Sequence, residues 1–139
     1  MKIFLDANIL IAVLNKEYPL FSKAARILSL TENRRLEVYT SPLCLATAFY
    51  FSGKKSGEET ARRKTAALAQ QLQICNTSAT AVEKTIQNSR IHDFEDGLQY
   101  YSAVDAGCEV IVTENVENFY FSDIAVRDSE IFLKEYVFP

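Results

Sequence analysis

The sequence predicts an α/β fold in which a central parallel sheet lies between two layers of helices, an α/β/α sandwich. Short apolar stretches of strand length alternate along the chain with longer stretches that carry helical patterns or capping residues. The two clearest strands, residues 2–5 and 109–113, are largely apolar, as strands buried on both faces are. No repeat, low-complexity tract or linker interrupts this alternation, so residues 1–139 are expected to form one domain.

The first part of the chain predicts strands and helices in alternation. The apolar run that ends at Asp6 is the first strand, and the apolar residues 8–14 form a short buried helix that ends near Asn15. Residues 19–30 place apolar side chains at helical spacing. Residues 36–40 alternate apolar and polar side chains, which is typical of a half-buried strand.

The middle of the chain predicts two consecutive helices. Ser41 followed by Pro42 is a typical helix start, since the hydroxyl caps the helix and proline suits its first position. We expect this helix to run to about Phe51 and to end near Gly53. Residues 58–72 are rich in Ala, Leu and Gln and predict the second helix.

The last third continues the alternation. Helices are expected over residues 77–89 and from residue 94 to Gly107, where glycine favours a helix end. The strand at residues 109–113 follows directly. A short final strand is expected at 124–126 and a final helix at 128–135.

Composition bounds the class of protein. The 139 residues carry 15 Lys and Arg against 18 Asp and Glu, a net charge of -3, so bulk positive charge does not hold this protein to nucleic acid. The 48% of hydrophobic residues suffices for a core without disulfides or a structural metal. The three cysteines (Cys44, Cys75 and Cys108) form no C-x-x-C pair, so reduced thiols in the cytoplasm are expected. No apolar run approaches the roughly 20 residues that span a membrane.

Oxygen-bearing side chains follow two of the predicted strands. Asp6 ends the first strand, and Thr113 and Asn115 lie at the end of the strand at 109–113. Ligands of parallel sheets bind beyond the carboxyl ends of the strands, so these side chains are expected at one edge. The alternative roles are a helix N-cap for Asp6 and an ordinary turn for Asn115.

Two further carboxylates, Asp93 and Asp96, lie three residues apart at the start of a predicted helix and therefore share one face. They repel each other unless a cation lies between them; the alternative is that they favour the helix dipole. Gly97 leaves room for a group to approach the backbone. Oxygen ligands with room for water suit Mg²⁺ or Mn²⁺, and such sites hydrolyse phosphodiesters well.

Five segments together resemble the PIN-domain superfamily, in order and in spacing: residues 3–10, 40–43, 93–96, 111–119 and 128–133. The resemblance covers essentially the whole chain and implies a small α/β/α protein. Many members are Mg²⁺- or Mn²⁺-dependent ribonucleases, and many bacterial members are the toxins of type II toxin–antitoxin pairs of the VapBC type. The resemblance therefore implies a divalent cation as cofactor, RNA as substrate and an antitoxin protein as partner.

The resemblance also implies roles for individual residues. Catalytic and metal-binding roles fall on Asp6, Asp93, Asp96 and Asn115. Substrate-binding roles fall on Asn8 and Thr113.

One position departs from the family pattern. The family usually carries Glu on the helix that starts at Ser-Pro, and this chain has Thr47 there, so the site is one carboxylate short. Asp93, Glu95 or Glu117 are candidates to compensate. Two hypotheses follow: a metal-dependent endoribonuclease, or a weakened or inactive module that binds RNA or a protein partner.

A third class, phosphoryl transfer through an aspartate, is disfavoured because Asp6-Ala7-Asn8 lacks a second Asp and no Lys follows the last strand.

Apolar and aromatic surfaces suggest contacts with other molecules. The apolar helix faces within residues 8–30 are available to an antitoxin segment or to a second copy of the chain, although core packing explains most of them. The aromatic clusters, such as the one at residues 119–121, are expected in the core. Any exposed member could stack on a base or form a subunit contact.

Overall fold

A computed structural model of the chain describes residues 1–32 and 34–138. Its centre is a five-stranded parallel sheet with strand order β3-β2-β1-β4-β5. The strands are β1 (Lys2–Leu5), β2 (Glu37–Thr40), β3 (Gln73–Ile74), β4 (Val110–Val112) and β5 (Ala125–Arg127). The α-helices of the described residues are α1 (Ala7–Asn15), α2 (Leu20–Ser29), α3 (Pro42–Ser56), α4 (Glu58–Ala69), α5 (Ala79–Gln87), α6 (Phe94–Asp105) and α7 (Ser129–Phe132).

The helices form two groups that cover the sheet. One group packs α1 against α2, α3 and α4, and the other packs α5 against α6. The predicted α/β/α sandwich with a parallel sheet is confirmed. Among the described residues, no helix has both the length and the apolar character needed to cross a membrane.

Strand β1 is the centre of the core. Ile3, Phe4 and Leu5 are fully buried, because β1 pairs with β2 on one side and with β4 on the other. This arrangement explains why the strand is apolar on both faces. It also places the carboxyl ends of β1 and β4 side by side, with Leu5 opposite Val112.

Helix starts lie at the same edge of the sheet. Asp6 caps α1 and accepts a hydrogen bond from the backbone N–H of Ala7. The Ser41 hydroxyl caps α3 and accepts from the N–H of Cys44 at 3.1 Å. Both caps follow directly on a strand, so each strand delivers a polar side chain to this edge.

Two predicted boundaries were wrong. Helix α3 continues past Gly53 to Ser56 and ends at Gly57, whose φ of +86° is not helical. The helix predicted for residues 58–72 ends at Ala69, and strand β3 follows. This two-residue edge strand is exposed on both residues, so no pattern of alternating burial marks it in the sequence.

The end of the chain does not form the single α-helix that was predicted. The segment expected as one helix over 128–135 is the short α7 followed by a π-helical turn, Leu133–Val137. A 3₁₀ turn, Val116–Phe119, follows β4 and was not predicted.

Gly97 of α6 packs closely against Thr85 of α5. A Cβ at this position would lie 2.4 Å from Cγ2 of Thr85 and 3.0 Å from Cγ2 of Ile91. The room that Gly97 leaves beside the backbone is therefore filled by the protein's own helix packing.

Candidate active site

Asp6 is held rigidly at the junction of β1 and α1. Its Oδ1 accepts from the Ala7 N–H at 2.8 Å, and its Oδ2 accepts from the Thr113 hydroxyl at 2.8 Å. Burial raises the pKa of Asp6, which the hydrogen bonds from Thr113, Ala7 and Cys44 partly oppose, and the charge of Asp93 raises it further. The fold therefore places the Asp6 carboxylate where little water can stabilise its negative charge.

Asn8 and Thr113 tie Asp6 to the loop after β4. The Asn8 side-chain amide donates to Oγ1 of Thr113 at 3.1 Å and to Oδ2 of Asp6 at 3.4 Å. Its carbonyl oxygen accepts from the Glu114 N–H at 3.1 Å, and Oγ1 of Thr113 accepts from the Asn115 N–H at 3.1 Å. Both side chains, predicted to bind substrate, are engaged here in orienting Asp6 and this loop.

Asp96 comes to the same edge from α6. Asp93 caps this helix, and its Oδ1 accepts from the Asp96 N–H at 3.2 Å. Burial raises the pKa of Asp96 to about 7, with further contributions from the negative charges of Asp93, Asp6 and Glu95. The raised pKa of Asp96 therefore reflects its partial burial first and the neighbouring negative charges second.

A pocket of about 180 Å³ opens between these elements. Its wall is formed by Asp6, Ala7, Asn8, Thr47, Glu95, Asp96, Gln99 and Asn115. Four of the six predicted site residues therefore share one pocket, although they are spread over more than 100 positions of the sequence. Asp93 and Thr113 lie outside the wall and contact residues that form it. Glu117, a candidate to compensate for Thr47, is exposed and does not line the pocket.

The donors that surround this pocket suit a hard divalent cation. Carboxylate and amide oxygens line it, and the nearby Cys44 thiol, whose pKa burial and the Asp6 charge raise to about 12, stays protonated and donates towards Asp6. In the described part of the chain, no three Asp, Glu, His or Cys side chains are grouped to hold a metal. The wall nevertheless carries the carboxylates of Asp6, Glu95 and Asp96 and the amide of Asn115, which are ligand types that suit a cation retaining bound water.

Thr47 lines the pocket where the family pattern has Glu. Its hydroxyl donates to the carbonyl oxygen of Leu43 at 3.0 Å, one helical turn earlier in α3. The side chain therefore contributes no charge to the pocket, and its hydroxyl proton is used within the helix.

Gln99 is a pocket residue that sequence reasoning missed. It is 4% exposed, and its Oε1 accepts from the Ser41 hydroxyl. Because Ser41 is fully buried and its hydroxyl proton needs an acceptor, this bond fixes the orientation of the Gln99 amide. The NH₂ end is left as the amide's donor in the pocket wall. Because Gln99 lies three residues after Asp96 and so on the same helix face, the sequence already indicated that it could lie near Asp96.

The comparison with known proteins assigns the chain to one family. A PIN-domain family model matches residues 2–117, and the chain belongs to the PIN-domain family. The resemblance seen in the sequence is thereby confirmed.

Individual relatives resemble the chain over most of its length. Ribonuclease VapC1 of Aquifex aeolicus (strain VF5) is 24% identical over 139 residues, which cover 97% of this chain and 95% of the relative. VapBC2 from Rickettsia felis, solved bound to a DNA fragment from its promoter, has a chain with a TM-score of 0.67 at 19% identity, covering 92% of this chain and 98% of that one. VapC20 of Mycobacterium tuberculosis, a toxin that cleaves the sarcin–ricin loop, has a TM-score of 0.62 at 16% identity, covering 78% and 86%.

Proposed function

We propose that this protein is a divalent-metal-dependent endoribonuclease and the toxin of a VapBC-like toxin–antitoxin pair. The observation that carries the proposal is the pocket in which Asp6, which follows β1, and Asp96 of α6 meet, with the amide of Asn115 beside them. The raised pKa of Asp96 supports it, because a cation bound here would favour the charged carboxylate that burial and the neighbouring negative charges disfavour. Membership of the PIN-domain family and the similarity to a named ribonuclease point the same way.

The residues of the pocket divide the work. Asp6 and Asp96 would hold Mg²⁺ or Mn²⁺, with the Asn115 amide oxygen completing the set of protein ligands. When bound, the cation supplies charge neutralisation for the phosphodiester and activates water for attack on phosphorus. Asn8 and Thr113 keep the Asp6 carboxylate in one orientation through their hydrogen bonds. Gln99 is placed to donate a hydrogen bond to a phosphate oxygen, since its carbonyl end is already bound to Ser41.

Hydrolysis of RNA by the purified protein tests the proposal. We expect cleavage of single-stranded RNA with Mg²⁺ or Mn²⁺, no cleavage with EDTA, and a loss of at least about 100-fold in rate for Asp96→Asn, because one of two metal carboxylates is removed. Asp105→Asn is the matched control, since Asp105 is an exposed carboxylate in the last turn of the same helix and lies outside the pocket. Equal rates for Asp96→Asn and Asp105→Asn would refute a role for this pocket in cleavage.

A second candidate function is a module that has lost most of its catalytic activity and binds RNA or a protein. It is favoured by two features of the pocket: Thr47 supplies no carboxylate, and Asn115 is neutral. RNA binding without metal-dependent cleavage is the result expected of such a module.

An antitoxin partner is proposed from the relatives. The Rickettsia felis structure contains the VapBC2 toxin–antitoxin pair on promoter DNA, and its toxin-like chain shares this fold. We expect the product of a small gene next to the one encoding this chain to co-purify with it and to inhibit its RNA cleavage. We also propose that residues 1–139 act as one domain, in line with the single sheet of the described residues. We further propose that two copies of the chain associate. Size-exclusion chromatography of the pure protein with light scattering tests this association.

A further inference from the structure

Two exposed aromatic side chains, His92 and Tyr120, lie on the segments that also carry the pocket residues Asp96 and Asn115. The rings of His92 and Tyr120 lie with their centroids 5.9 Å apart and an angle of 32° between their planes. His92 directly precedes Asp93, the cap of α6, and Tyr120 ends the 3₁₀ turn that begins after Asn115. This pair of rings, here called the aromatic platform, therefore joins the two segments that bring Asp96 and Asn115 to the pocket.

The platform is fixed in place by the structure beneath it. The Tyr120 hydroxyl donates to the carbonyl oxygen of Arg90, and its ring packs edge-on against the buried Phe121, with centroids 5.5 Å apart. The loop that carries Arg90 is fixed by Asn88, which accepts from the Arg90 N–H at 3.1 Å and donates to the Tyr101 hydroxyl at 3.2 Å. A partner that binds here meets rings that are already ordered, so little entropy is lost on binding.

The chemistry of this surface fits an unpaired nucleobase. Tyr120 is 52% exposed although it is anchored on both sides, so flat aromatic area faces water without an evident structural need. His92 is exposed as well. Arg90 is exposed beside the platform and takes part in none of the ion pairs of the described residues, so a cation is present to meet a phosphate. Aromatic rings next to a cation are the usual elements of single-strand recognition.

We propose that the aromatic platform stacks an unpaired base of single-stranded RNA, with Arg90 on the adjoining phosphate, next to the phosphodiester in the carboxylate pocket. The proposal rests on the function proposed above and deepens it, because it makes substrate choice depend on an unpaired base at a fixed distance from the scissile bond. The proposal gives a function to the exposed rings of His92 and Tyr120, whose exposure is not required by packing.

Binding of RNA to catalytically inactive protein tests the aromatic platform independently of cleavage. All variants carry Asp96→Asn, and fluorescence anisotropy measures their affinity for a short single-stranded RNA and for the same oligonucleotide with abasic sites. We expect His92→Ala with Tyr120→Ala to weaken binding of the intact RNA about tenfold, and of the abasic RNA by less than about twofold, since only bases stack. Tyr18→Ala is the control, because Tyr18 is 69% exposed and packs on Phe21 beyond the other end of α1.

The outcomes separate the two proposals. Unchanged affinity of the double variant for intact RNA, or an equal loss on abasic RNA, overturns the platform. If melting shows that the double variant does not fold, His92→Ala alone replaces it, with an expected loss of about threefold on intact RNA only; no loss overturns the platform. Absence of metal-dependent cleavage by the wild-type protein refutes the proposed nuclease function. The binding measurements then still decide whether the aromatic platform binds a base.

Discussion

Asp96 ionises differently in this fold from an aspartate in the unfolded chain. Burial and the charges of Asp93, Asp6 and Glu95 raise its pKa from 3.8 to about 7. The folded state therefore holds this proton more tightly than the unfolded state does. Without metal, the carboxyl group costs nothing at low pH and costs increasingly more stability as the pH rises from about 4 to about 7.

Replacing this carboxyl with an amide should remove that cost. In metal-free buffer we expect Asp96→Asn to melt at a higher temperature than the wild type, and the gap to widen from about pH 5 to about pH 8, because only the wild type must ionise a crowded carboxyl group. Thermal unfolding followed by circular dichroism measures it. Asp105→Asn controls for removing a carboxylate from the same helix. A gap that does not change with pH would contradict the raised pKa of Asp96 in the folded protein.

At the scale of the elements, two glycines in helices have opposite roles. Gly97 in α6 lies against Thr85 of α5, whose hydroxyl is bonded to the carbonyl oxygen of Ala81 at 2.8 Å and whose side chain is buried. Gly53 in α3 has nothing within 4 Å of a Cβ. The first glycine allows two helices to pack closely, whereas the second only adds flexibility to its helix.

This contrast predicts stability changes of opposite sign. Gly97→Ala should destabilise the protein by about 1–3 kcal/mol, because the new methyl overlaps the Thr85 side chain and the helices must separate. Gly53→Ala should stabilise it by about 0.5–1 kcal/mol through helix propensity. Urea unfolding of the two variants beside the wild type gives both values. Equal effects of the two alanines would show that α5 and α6 tolerate a wider spacing.

At the scale of the whole molecule, the pocket exists only because distant elements meet. Asp6 follows β1, Thr47 comes from α3, Asp96 from α6 and Asn115 from the loop after β4. The net charge of -3 is therefore a poor guide to function, since the relevant charge is the local one in the pocket. That local charge decides how tightly a cation binds.

Completing the carboxylate set should strengthen cation binding. We expect Thr47→Glu to tighten Mn²⁺ binding about tenfold relative to the wild type, because α3 then adds a charged ligand at the pocket wall. Isothermal titration calorimetry with Mn²⁺ measures it, with Thr47→Gln as the control of equal length and no charge. Equal affinities for the Glu and Gln variants would mean that position 47 does not face the bound cation.

Much of the fold could be predicted from the sequence because local patterns determine it. The apolar run at residues 2–5, the caps at Asp6 and Ser41 and the left-handed Gly107, with φ +83° after α6, each mark an element boundary. Strand β3 escaped prediction because two exposed edge residues carry no pattern, and their pairing to β2 is a purely tertiary contact.

The sequence by itself determined the α/β alternation, the family resemblance and the oxygen-bearing residues after β1 and β4, because each depends on residues that are close along the chain. The tertiary structure decided how these residues are used. It engages Asn8 and Thr113 in orienting Asp6, brings Gln99 and Glu95 into the pocket wall, and fills the space beside Gly97 with Thr85. These outcomes depend on which side chains meet across the sheet and between helices, and packing of the whole chain sets those distances.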